Sequence, residues 1–262
     1  MDIEAFVRDG WTVIRGAFAA QTAAACRASV WETLATQGVR PDDRTTWQRP
    51  VVRVDTPRTE PFRAAAASPA LTAAYDELIG AGRWRANPHV GGTIPVRFPS
   101  EQFPGDAGWH IEGSWWGGTE YWSNVRSRNR GLLGLFLFSD VGPDDAPTKL
   151  IPGSHHYAAA ALATRGEQGM PGGDVPGLLR PSTFVRTTAE ATGTAGDVYL
   201  CHPFIVHTAT WPHRGTEPRM MAQPAITAPD GFTLDGTDPS PVARAIVAGL
   251  ADTSQLRPTR QV

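Results

Sequence analysis

From about residue 84 the chain stops reading as helix and breaks into short β-type runs punctuated by Gly and Pro. The candidate strands are 87–98, 107–112, 131–140, 147–151, 183–187, 197–201, 204–208 and 217–227. Many short strands with frequent turn signals specify an antiparallel sandwich or barrel. The first 83 residues read differently. Ile3, Phe6 and Val7 stand at helical spacing over 2–9, with Gly10 placed to stop the turn, and WTVIRG (11–16) is a short strand. The Ala-rich stretch 19–37 predicts a helix ended by Gly38 and Pro41. Segment 40–60 reads as a surface loop. Two short helices follow over 61–67 and 69–79, the second with Leu71, Tyr75 and Leu78 on one face. After Gly231 a tail is expected, with a helix near 241–250 and a loose last ten residues. No internal repeat or linker divides the chain, so one domain over 1–262 is expected: a helical part (1–83), a β core (84–230) and the tail (231–262).

Composition narrows the function. With 41% hydrophobic and 19% charged residues the chain is globular, and 262 residues can bury a core without staples. A net charge of -2 provides no overall field for nucleic acid or anionic membrane, so neither is an expected partner. Only one of the 24 basic residues is Lys (Lys149), which lowers the weight of any single Arg as a signal. Cys26 and Cys201 have no metal or redox spacing. The N-terminus lacks a basic stretch followed by an apolar run. The apolar run Leu132–Phe138 is far short of the ~20 residues that span a bilayer. A cytoplasmic protein is expected.

The chemistry gathers in two segments. In GWHIEGSWW (108–116), His110 and Glu112 are two apart, so on a strand both face one way. Alone, such a pair also fits a surface ion pair. In GDVYLCHPFIVHTATWPHRGTEPRMMAQPAI (196–226), His207 closes a β-type run and Arg219 lies on another, with His202 as a competing histidine. Two His and one carboxylate on a metal leave about three positions open, as non-haem Fe(II) oxygenases require. An Arg fork nearby suits the far carboxylate of 2-oxoglutarate.

With DGWTVIRGAF (9–18), the H-x-E, LIPGSHH (150–156) and the G-D-V…H…R block in this order, the chain resembles the phytanoyl-CoA dioxygenase family. The resemblance implies a mainly β fold, a cupin-like double-stranded β-helix or jelly roll over 84–230, flanked by N-terminal helices. It implies His110, Glu112 and His207 as Fe(II) ligands and catalytic residues. Arg219 would grip 2-oxoglutarate, helped by the Thr148 hydroxyl. With O2, such an enzyme hydroxylates an unactivated C–H of a small or mid-sized metabolite and releases succinate and CO2; desaturation or ring closure uses the same site. The family usually has Asp where this chain has Glu112, whose extra methylene moves the carboxylate by more than ~1 Å. A carboxylate here also argues against a halogenase, since those relatives carry a small residue at this position.

Around this set, Arg97 is expected to line the site, and Trp115 and Trp116 to wall a substrate pocket rather than pack as core. By the resemblance, His155 lies near the pocket mouth. A plainer reading makes Ser154 the cap of a helix through 157–163. Arg126, Arg128 and Arg130 read as a solvated loop, and His213 as a loop residue. Two rival functions keep the fold: a metal-dependent isomerase or hydrolase, which needs no second carboxylate clamp, and a non-catalytic binding module, in which a ligand would be lost. No basic groove marks a coenzyme A site, and no residue pattern speaks to oligomeric state.

Overall fold

A computed structural model describes residues 1–257. The helices are α1 (Ile3–Asp9), α2 (Ala20–Ala35), α3 (Glu60–Ala66), α4 (Pro69–Ile79), α5 (Ser154–Ala163) and α6 (Pro241–Leu250). Early strands are β1 (Trp11–Ile14), β2 (Val51–Asp55), β3 (Thr93–Arg97), β4 (Trp115–Trp116), β5 (Tyr121–Ser123) and β6 (Leu132–Leu137). Later ones are β7 (Lys149–Leu150), β8 (Met170–Pro171), β9 (Ala189–Glu190), β10 (Val198–Cys201), β11 (His207–Thr208), β12 (Met221–Ala222) and β13 (Ala225–Ile226). All named ladders are antiparallel.

The main sheet runs β1-β10-β6, with β12 and β13 both on the far edge of β6. Strand β6 is buried along its whole length, which explains its unbroken apolar sequence LLGLFL. Its alternation feeds two cores. Leu132 and Phe136 join the large cluster under the helices, whereas Leu133, Leu135 and Leu137 join a second cluster with Leu150 of β7 and Ile205. Behind that second cluster lies the small sheet β11-β7-β9. More residues lie in α-helices than in strands, so "mainly β" fits the second half of the chain and not the whole. The reason is the shortness of the strands, several of two residues, between long connecting loops.

Local chemistry explains the ends of the elements. Asp2 Oδ1 accepts from Ala5 N–H at 2.9 Å to start α1, and Gly10 ends it with φ +86° and its N–H on Phe6 O. Asp197 ties two sequence blocks together: its carboxylate accepts from the Gly16 and Thr194 N–H groups and from Arg15. Burial would raise this carboxyl, but those donors hold it below its ordinary value.

Five local expectations change. Segment 40–60 contains β2, whose VVRVD pairs with β3 across five residues. Segment 183–187 is largely a 3-10 turn (Pro181–Val185), and 107–112 holds a single bridge pair instead of a strand. Gly153 occupies the cap of α5, because the Ser154 hydroxyl is taken by Val206 N–H at 2.8 Å. The tail to Arg257 is packed: Arg257 donates to the Leu178 and Leu179 carbonyls. The rest of the expected loose end, 258–262, lies outside the described residues. No helix among the described residues is long and apolar enough to cross a membrane.

Candidate metal centre

His110 and His207 form one isolated antiparallel bridge, each N–H on the other's carbonyl at 3.0 Å. Opposed residues of such a pair carry their side chains to the same face, and the two rings lie 4.3 Å apart by centroid. Each ring is oriented through Nδ1: His110 on Gly108 O at 2.7 Å, His207 on Ile205 O at 3.1 Å. A carbonyl can only accept, so Nδ1 carries the proton and Nε2 presents a lone pair.

Both lone pairs turn toward Glu112. Its Oε1 is 3.5 Å from His207 Nε2 and 3.8 Å from His110 Nε2. Three acceptors facing one another repel unless a cation sits between them, and His207 Nε2 is buried with no protein partner. Ligand atoms ~2.1 Å from one ion lie roughly 3.0–3.4 Å apart, so small shifts would close this set on a metal. It is the one such group among the described residues. Burial would raise the Glu112 carboxyl, but the hydrogen bonds that the two imidazoles can give it in a metal's absence, with the Arg130 charge, hold it well below its ordinary value. Burial pulls His110 down; the Glu112 carboxylate outweighs this and raises it.

These side chains line a cavity of about 240 Å³ that also holds Arg97, Asp106 and Arg219. Arg219 is 1% exposed, donates to Ala146 O, and has no acidic partner among the described residues. Burial, with Arg97 beside it, pushes its pKa down to about 9, so it stays cationic at neutral pH. A buried guanidinium without a counter-ion is costly, and an entering carboxylate would relieve it. Arg97 pairs with Arg219 backbone to backbone, while its own guanidinium holds Asp106 at 2.7 and 2.8 Å. Thr148, two residues beyond Ala146, is buried with Oγ1 unpartnered.

The sequence profile of phytanoyl-CoA dioxygenase (PhyH) matches residues 6–221, spanning all of these side chains. The chain belongs to the phytanoyl-CoA dioxygenase family. It is an enzyme dependent on Fe(II), 2-oxoglutarate and O2. No curated protein matches it. Solved structures share its fold. HygX from Streptomyces hygroscopicus, with nickel and 2-oxoglutarate bound, is 18% identical over 84% of this chain and 83% of its own, with a TM-score of 0.53. The epimerase SnoN, in complex with Fe3+, alpha ketoglutarate and nogalamycin RO, is 19% identical over 91% of each chain, with a TM-score of 0.55. The carbocyclase SnoK from nogalamycin biosynthesis is 15% identical over 86% and 82%, with a TM-score of 0.51.

Within this dioxygenase the other candidate residues divide. Arg97 lies on the cavity wall. Trp115 and Trp116 do not; they sit on the hairpin β4-β5, with Trp116 57% exposed and edge-on to Tyr121 at 5.2 Å. His155 is fully buried, so the pocket-mouth expectation is corrected. Its Nε2 donates to Val7 O of α1, and its ring packs on His156 and His202. His202 is excluded as a ligand because Nδ1 accepts from Phe204 N–H and Nε2 faces Val242 O. His213 is buried, bridged to Ser100 and 3.9 Å from Asp145. Sequence reasoning missed Asp106, which reads as a turn residue in PGDAG, and Arg130, which is buried against Gly113. Neither carries a local signal: both meet their partners through the fold.

Proposed function

We propose that His110 Nε2, His207 Nε2 and Glu112 Oε1 hold Fe(II), and that Arg219 anchors the distal carboxylate of 2-oxoglutarate with help from Thr148. The observation that carries this is the coincidence, in one cavity, of three convergent acceptors and a buried cation lacking an anion. Bound iron would supply the activation of O2 against 2-oxoglutarate, releasing succinate and CO2 and oxidising a C–H bond. The chain's own part is to fix both imidazoles through Nδ1, leave coordination positions open, and orient the co-substrate by charge. The Arg97–Asp106 pair forms the wall beside Arg219.

Hydroxylation of an unactivated C–H in a small or mid-sized metabolite is the favoured outcome. The near-neutral chain fits a cytoplasmic enzyme of one domain with no nucleic-acid or membrane partner. The β-rich half fits a jelly roll, with the main sheet and the β11-β7-β9 sheet as its two leaves. An epimerase and a carbocyclase share this fold, so substrate placement would choose among outcomes of the same oxidation. The test is succinate release by anaerobically purified protein given Fe(II), 2-oxoglutarate and O2, with 2-oxoglutarate binding measured in parallel. Metal-dependent binding and turnover that vanish in His207→Ala support the reading. Absence of metal-dependent 2-oxoglutarate binding refutes it.

A further inference from the structure

We propose that Arg130 is a positioning residue for Glu112, holding Oε2 so that the carboxylate offers only Oε1 to the metal. This rests on the metal-centre reading above and explains how a glutamate serves there. A glutamate has one more rotatable bond than aspartate and can turn both oxygens onto one cation. A chelating carboxylate would take one of the three positions that two imidazoles and a single oxygen leave open, so 2-oxoglutarate and O2, which together need all three, would have to displace its second oxygen.

In the structure the two oxygens are divided. Oε1 faces the imidazoles at 3.5 and 3.8 Å, whereas Oε2 lies 3.8 Å from Arg130 Nη2. That is too long for a hydrogen bond and short enough for an ion pair. Glu112 is the one acidic partner of Arg130 among the described residues, and Nη1 is buried without a partner. The guanidinium is itself held in place. Nε and Nη2 donate to Gly113 O at 3.1 and 2.8 Å, one residue beyond Glu112. The Arg130 backbone carbonyl accepts from Ser127 Oγ at 2.8 Å, and Gly131 N–H donates to Ile226 O at 2.7 Å. Ser127 and Asn129 adopt φ +48° and +69°, unusual for non-glycine residues, to bend the loop inward. The bend thereby buries a positive charge beside the Glu112 carboxylate.

The test loads the purified protein with Co(II) and measures Co(II) and 2-oxoglutarate dissociation constants by visible absorption. Arg130→Gln keeps a donor for Gly113 O and removes the charge; Arg130→Lys keeps the charge. Arg130→Gln should bind Co(II) at least as tightly as wild type and 2-oxoglutarate at least tenfold more weakly. Arg130→Lys should stay within threefold of wild type for both. Wild-type 2-oxoglutarate affinity in Arg130→Gln, or equal loss in both variants, overturns the proposal, the latter marking a mere prop for Gly113. A second readout needs no Arg130 variant: the infrared splitting of the isotope-labelled Glu112 carboxylate in the Co(II) protein, with Glu112→Gln as blank. A wide splitting reports ligation through one oxygen and supports the proposal; a narrow one reports chelation and refutes it. Undiminished Co(II) binding in His207→Ala would instead reject the metal-centre reading itself.

Discussion

Acidification should destabilise the metal-free protein well above the range where carboxylates titrate, because histidines in its core are held neutral. His155, His156 and His202 stack behind α1 with centroids 4.0 and 4.8 Å apart. Burial, with His156 nearby, pushes His202 down to about 3 from its ordinary 6.5. Burial and the neighbouring His202 and His156 push His155 well below its ordinary value. A depressed histidine leaves the folded state with fewer bound protons than the unfolded chain. Its stabilisation is therefore complete above about pH 6.5 and lost as pH falls below it. Each such group loses about 1.4 kcal/mol per pH unit, or about 2 kcal/mol between pH 6.5 and 5. For His202 the loss is about 2 kcal/mol, and His155 adds to it in the same direction, against the ~5–15 kcal/mol that holds a domain folded. His110, raised in the folded state, acts in the opposite direction, so the comparison must be made against a variant. His202→Asn keeps an acceptor for Phe204 N–H and removes one titrating ring. Urea unfolding at several pH values should show its stability falling less steeply than wild type, by about 1.4 kcal/mol per unit below pH 6.5. Equal slopes for the two proteins would refute the reasoning.

Two further outcomes follow from single contacts. Gly10→Ala must tolerate φ +86° and would drive Cβ into His155 Nδ1 on a ring already fixed to Val7 O. The expected cost is about 2–4 kcal/mol, seen in thermal melting as a fall of roughly 5–15 °C; an unchanged melt would mean the ring and turn move freely. Arg219→Ala removes a charge-assisted pair worth about 1.5–3 kcal/mol, so KM for 2-oxoglutarate should rise roughly 10- to 200-fold. An unchanged KM would remove Arg219 from the co-substrate site.

The elements read best from sequence are those whose stability is local. Helices α1, α2 and α4 follow from apolar spacing, alanine content and the stops at Gly10 and Gly80, which act within one turn. The metal set was legible for a related reason: H-x-E sits within three residues, and its order relative to His207 and Arg219 is itself a pattern. Strand β2 was not legible, because a charged VVRVD flanked by Pro becomes a strand only when β3 pairs with it.

Direction and burial belong to the tertiary structure alone. His155 follows a recognisable PGS turn, yet the docking of α1 and α6 turns it into the core and away from the cavity. Arg126, Arg128 and Arg130 alternate in sequence, and only the bend at Ser127 and Asn129 leaves Arg128 exposed while carrying Arg130 to Glu112. By itself the sequence supplied candidates for a metal site and for an anchoring cation, since side-chain chemistry and order are local properties. Whether a charge meets solvent, a carboxylate or a substrate was decided by contacts between distant segments, because solvation and pairing depend on what the fold packs around each group.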